Sequence, residues 1–173
     1  TCWGYGGAGQ LGYGNGNNIG DDETPAANPV TGGIVQLPGA QGVAQVEPGS
    51  SHTCARLVSG DVACWGTGAA GQLGYGVVDI IGDNETPAAN PVHGGVLALP
   101  GDQHALGLDT NASQSCALLT DASVTCWGSG LEGRLGSGNT NNIGDNETPA
   151  ANPVNGGRVP LPRSVAAVDY RPL

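Results

Sequence analysis

The stretch IGDNETPAANPV starts at Ile81 and again at Ile143, and a near copy, IGDDETPAANPV, starts at Ile19. It gathers oxygen donors: Asp21, Asp22 and Glu23 in the first copy, Asp83 and Glu85 in the second, Asp145 and Glu147 in the third, with Asn17, Asn18, Asn141 and Asn142 just upstream. Calcium takes about 6 to 8 such oxygens, which makes Asp83, Glu85, Asp145 and Glu147 candidate ligands. The donor order is neither that of an EF-hand loop nor the Gly-Asp nonapeptide of calcium β-rolls. Val77 and Ile80 also stand where the other copies have Asn, so any site would differ between copies. The same residues suit a turn, because Asp and Asn bond nearby backbone and Pro fixes the extended segment that follows. The turn reading is preferred, and no cofactor is expected.

The other chemistry-bearing groups are cysteines, histidines and a glycine pattern. Cys54 and Cys64 lie symmetrically about Ser59-Gly60, as Cys116 and Cys126 lie about Asp121-Ala122. An antiparallel hairpin places facing Cβ atoms within about 4.5–5.5 Å, near disulfide geometry. The alternative is free, buried cysteines that pack as small apolar groups. Cys2 lacks a counterpart. Ten-residue spacings without a second close Cys or His argue against zinc. His52 shares a strand face with Cys54, as a Cys-His nucleophile would require, but a bridged Cys54 is no nucleophile, and no histidine recurs at a fixed place in the repeat. No catalytic residue is assigned. GxGxxG begins at Gly4, Gly66 and Gly128, yet QLGYG or RLGSG follows where a nucleotide fingerprint needs a helix; tight turns and close strand approach explain these glycines better. Asn84, Asn111 and Asn146 open glycosylation-type sequons, two of them followed by Pro.

The elements that carry these groups repeat. Cys-Trp-Gly recurs at Cys2, Cys64 and Cys126, a step of 62 residues, and Cys54/Cys116, Thr24/Thr86/Thr148 and the Gly-Gly pairs at Gly32, Gly94 and Gly156 keep it. Within a unit, residues 43–46 read as a short strand. Residues 53–57 and 62–65 read as a hairpin across Ser59-Gly60, and residues 33–37 (GIVQL) as a fourth strand after the acidic stretch. With 32 Gly and 12 Pro a helical bundle is excluded. Many short strands joined by glycine-rich turns fit instead: an all-β chain of four-stranded antiparallel β-propeller blades, partial or completed by other subunits. A formal charge of −10 with no Lys opposes a nucleic-acid surface and an anionic membrane. No apolar run reaches the ~20 residues of a membrane span.

CWGYGGAGQLGYG at Cys2, CWGTGAAGQLGYG at Cys64 and CWGSGLEGRLGSG at Cys126, preceded by SHTCARLVSGDVA or SQSCALLTDASVT where the chain allows, resemble the regulator of chromosome condensation repeats, including their Cys-containing bacterial forms. The resemblance implies a propeller, usually seven-bladed. On that frame residues 1–38 are a partial blade of third and fourth strands, 39–100 and 101–162 full blades, and 163–173 the first strand of another. The counterpart of residues 52–63 is missing from the first unit, which suggests a fragment or a subunit completed by neighbours. The expected function is a non-catalytic extracellular, cell-surface or periplasmic module for binding a protein partner or itself; the alternative is a structural subunit joined edge to edge into a ring or fibre. Disulfides would require an oxidising compartment. The resemblance also allows guanine-nucleotide exchange or secreted enzyme inhibition, although no exchange residue carries over to this chain.

Overall fold

The computed structural model describes residues 1–28 and 30–162. One sheet has the order β1-β2-β3-β4, from Val43–Pro48, His52–Leu57, Val62–Thr67 and Ile80–Ile81; a second has the order β5-β6-β7, from Ala105–Thr110, Gln114–Leu119 and Val124–Gly128. All pairings are antiparallel. Single bridges, Gly4 with Ile19 and Gly128 with Ile143, repeat the β3–β4 contact in the flanking units.

The central hairpins follow from their turns. Leu57 N–H donates to Asp61 O and Gly60 N–H to Leu57 O, a three-residue loop that needs a left-handed residue at its end. Gly60 supplies it with φ 90°. A Cβ there would also lie 2.6 Å from His104 Cβ, so glycine is required twice over. In the second sheet Leu119 and Ser123 close the same loop, but Ala122 takes the left-handed place with φ 63°. Left-handed backbone costs a non-glycine residue about 1–2 kcal/mol, partly offset by glycine's greater chain entropy. Ala122→Gly is therefore expected to stabilise the chain by about 0.5–1 kcal/mol, read as a higher urea midpoint at an unchanged slope.

The fourth strand is not where the sequence placed it. Residues 33–37 form no strand; the outer edge of β3 pairs instead with the start of the acidic stretch, Gly66 opposite Ile81 and Thr67 opposite Ile80. Further along that edge Leu97 N–H donates to Val62 O, and Val159 N–H to Val124 O. The outer strand is thus split, and the rest of the acidic stretch bulges out between its halves. The prolines, which lack a donor, and the left-handed backbone at His93, Gly94 and Gly95 interrupt pairing between them. The strand expected at residues 165–168 lies outside the described residues.

The core lies between the two sheets and the loops after each Cys-Trp-Gly. Trp65, Trp127, Leu57, Leu73, Leu119 and Leu135 are fully buried. Gln45 ties the sheets together, its amide donating to Leu108 O at 2.8 Å and accepting from Leu108 N–H at 3.1 Å.

Candidate interaction site at the joint between units

Each fully formed joint centres on one backbone carbonyl. Trp65 Nε1 donates to Gln10 O at 2.8 Å, and Thr53 Oγ1 donates to the same oxygen at 2.9 Å. One repeat later Trp127 Nε1 and Ser115 Oγ both donate to Gln72 O, at 3.0 and 3.1 Å. Thr53 faces Trp65, and Ser115 faces Trp127, across a hairpin, so sheet register alone converges the two donors. The acceptor is aimed by its own loop: Gln10 Oε1 takes Ala8 N–H and Gln72 Oε1 takes Ala70 N–H.

Glycines let the partners close on each other. A Cβ on Gly9 would sit 2.8 Å from Ile81 O, and one on Gly71 2.6 Å from Ile143 O. Gly14 N–H donates to Gly82 O and Gly76 N–H to Gly144 O, at 3.1 and 3.0 Å. The glycine pattern that resembles a nucleotide loop is a turn and a close backbone approach, as expected. The convergence of Trp and Thr or Ser on one carbonyl was not foreseen. The only sequence signal for it is the shared spacing of Trp and Gln, since a carbonyl acceptor carries no residue type.

Cys54 and Cys64 face each other in β2 and β3, and Cys116 and Cys126 in β6 and β7; each pair is bonded, with Cα atoms 4.1 Å apart. Cys2 carries a free thiol, raised in pKa by burial. Bonding of Cys54 leaves His52 no thiol partner. His52 is wholly buried, with Nε2 2.9 Å from Ser115 Oγ. Because that hydroxyl gives its proton to Gln72 O, His52 is the donor at Nε2, and its Nδ1 is a buried acceptor without a partner among the described residues.

Burial holds the His52 pKa at about 4 against the usual 6.5. Unfolding therefore takes up a proton between these values. The contribution of His52 is complete above pH 6.5, falls as pH drops toward about 4 and levels off below. The total loss is about 3 kcal/mol. Gln114 holds the equivalent place in the next sheet, so His52→Gln is expected to remove this slope from urea midpoints measured across the range; an identical slope in the variant would assign it to the carboxylates.

The acidic stretches fold as turns. Thr24, Thr86 and Thr148 precede the single 3-10 turns Pro25–Ala27, Pro87–Ala89 and Pro149–Ala151. Buried Asn28, Asn90 and Asn152 then accept Val30, Val92 and Val154 N–H at 2.8–2.9 Å. Asp83 and Glu85 line one surface depression, Asp145 and Glu147 another. Among the described residues, the three carboxylates whose oxygens all lie within 4.8 Å of one another are Asp21, Asp22 and Glu23. Burial first, then Asp83 and Asp145 respectively, raises the pKa of Glu85 and Glu147. Asp22 does so for Glu23, by hydrogen bond and charge.

Trp3, which matches Trp65 and Trp127, is 66% exposed, and Tyr5 is 68% exposed. Gly133 and Gly138 match Gly9 and Gly14, and a Cβ on either would meet no atom of the described residues within 4 Å.

Residues 43–72 match the family model of the regulator of chromosome condensation (RCC1) repeat. The ultraviolet-B receptor UVR8 of Arabidopsis thaliana is 30% identical over 139 residues, 79% of this chain and 26% of the receptor. The E3 ubiquitin-protein ligase MYCBP2 of Danio rerio is 33% identical over 125 residues, 68% of this chain and 2% of the ligase. The chain thus spans about a quarter of the first relative and a small fraction of the second. The crystal structure of Prp20p from Saccharomyces cerevisiae superposes with a TM-score of 0.56 at 16% identity, over 92% of this chain and 33% of that one. The resemblance to these repeats and the propeller-type fold therefore hold, whereas a bacterial source does not follow. Among the described residues, no helix is long and apolar enough to cross a membrane.

Proposed function

We propose that this chain of regulator of chromosome condensation repeats is a non-catalytic protein-interaction module that works in an oxidising compartment outside the cytosol. The observation that carries the reading is the rim of the middle unit, where Val78 and Ile80 are exposed beside a surface depression lined by Val77, Ile80 and Val92. The other copies have Gly16 and Asn18, and Thr140 and Asn142, at the places of Val78 and Ile80. Exposed apolar side chains grouped in this way mark protein-contact surfaces. The two bonded cysteine pairs support the compartment, since disulfides persist where the medium is oxidising.

The test places a photo-crosslinking residue at Val78 and, as a control, at Val58, which is exposed on a hairpin turn. Expressed in the source organism, the Val78 variant is expected to form defined crosslinks to protein, with the crosslinked peptides identified, and the Val58 variant none. Equal labelling from both positions, or none from Val78, would refute the reading.

A further inference from the structure

We infer that the rim depression of the middle unit docks a segment of another protein in which an arginine lies beside an apolar side chain; this rests on the interaction reading above and gives the partner a chemistry. The middle unit is joined to described units on both sides, by Gly14 N–H to Gly82 O and by Gly76 N–H to Gly144 O, so this rim is internal to the described chain. Where the sister copies read Asn-Gly-Asn-Asn at 15–18 and Asn-Thr-Asn-Asn at 139–142, it reads Val77, Val78, Asp79, Ile80. The exchange gives up hydrogen bonds. Asn15 Oδ1 accepts Asn17 N–H at 3.0 Å and Asn139 Oδ1 accepts Asn141 N–H at 2.9 Å. Asn18 and Asn142 accept Gly6 and Gly130 N–H, both at 3.1 Å. The side chains of Val77 and Ile80 accept none of these. Ile80 recovers part of the loss by pairing with Thr67 in β4, but Val78 is 54% exposed and belongs to no strand. A local rule broken without a structural return marks a functional surface.

The second observation is charge. Asp79, Asp83 and Glu85 line the same depression as Val77, Ile80 and Val92, and among the described residues none of the three is in an ion pair. Asp79 is itself a departure, since the other copies have Asn17 and Asn141 in its place. In the third copy Asn152 Nδ2 donates to Glu147 Oε1 at 3.3 Å. The equivalent Asn90 Nδ2 has no hydrogen-bond partner among the described residues, so Glu85 lacks that anchor and is free to turn to a docked cation. The three carboxylates do not converge as Asp21, Asp22 and Glu23 do within 4.8 Å, and an extended cation therefore suits them better than a metal ion. Arginine meets both halves of the surface. Its guanidinium bonds a carboxylate at two points, and its stem packs on apolar side chains. A second copy of this chain is the wrong occupant, because with a net charge of −10 and no Lys it would set carboxylates against carboxylates.

Selection from a phage-displayed library of random peptides against the immobilised chain tests this. Expected are enriched peptides with Arg next to an apolar residue; titrated into isotope-labelled chain, they should shift backbone amide resonances within residues 77–92 and leave those of residues 15–23 and 139–147 in place. Val78→Thr combined with Ile80→Asn installs the residues that the third copy carries at Thr140 and Asn142 and folds with, and should weaken the selected peptides about tenfold or more. Asp83→Asn combined with Glu85→Gln should weaken them about threefold or more and flatten their dependence on salt. No enrichment, enriched peptides without basic residues, shifts confined to other parts of the chain, or affinities unmoved by both double variants overturn the inference. Calcium ions that shift the same amides when no selected peptide does overturn it as well. A Val78 crosslink to a partner segment without Arg overturns it while leaving the interaction reading in place; failure of both the selection and the crosslink overturns both.

Discussion

Replacing Trp127 by Ala is expected to cost about 3–5 kcal/mol, within the range for deleting a buried aromatic side chain. The ring is wholly buried between the units, packed against Gly74 and bonded to Gln72 O. Its removal leaves a cavity at the centre of the joint and strips one of two donors from a buried carbonyl. Small domains hold about 5–15 kcal/mol in all, so this single change uses up much of the margin. Trp127→Phe keeps most of the ring and loses the donor, and should cost less, with about 1–3 kcal/mol arising from the under-satisfied carbonyl. Trp3→Ala, at the same repeat position but exposed, should leave the urea midpoint of the dilute chain nearly unchanged. Equal losses at Trp127 and Trp3 would contradict the joint.

The second large effect is redox. Each disulfide closes a loop of about ten residues, which the chain-entropy treatment values at about 2.5–3 kcal/mol. Removing both by Cys→Ala pairs at Cys54/Cys64 and Cys116/Cys126 should therefore lower stability by about 5 kcal/mol, additively if the sheets respond independently. Cys54 and Cys64 are fully buried, so a reductant should act only as the sheet opens, and reduction followed by mass spectrometry should track unfolding. A urea midpoint unmoved by reductant in the wild-type chain would show that the bridges contribute nothing.

Much of the frame was legible because the repeat is a covalent fact. The 62-residue step, the hairpin turns and the facing cysteines all follow from spacing, since side chains on a hairpin pair by register. The outer strand was misplaced because apolar residues 33–37 look like a strand in isolation, whereas the edge of β3 is taken by Ile80–Ile81 before the prolines divert the chain. The candidate site was the least legible part. Gln10 and Trp65 lie 55 residues apart, and the acceptor is a carbonyl that any residue offers. His52, which the sequence offers only as the partner of an unassigned Cys54 nucleophile, is a buried filler against the next sheet, bonded to Ser115; burial of that kind depends on how units stack, which one strand's pattern does not reveal. The acidic stretch reads as a turn in both sequence and structure because its determinants, Thr, Pro and Asn, act locally.

The most direct test of the joint is hydrogen exchange at the three indole N–H groups, followed by nuclear magnetic resonance on dilute, oxidised chain. Trp65 and Trp127 are buried rings that donate to the half-buried Gln10 carbonyl and the buried Gln72 carbonyl and should exchange slowly, only as the units separate, while Trp3 should exchange at nearly the rate of a free indole. Three indoles with the same protection, or an unprotected Trp65 or Trp127 in a folded chain, would contradict a joint built on Gln10 and Gln72.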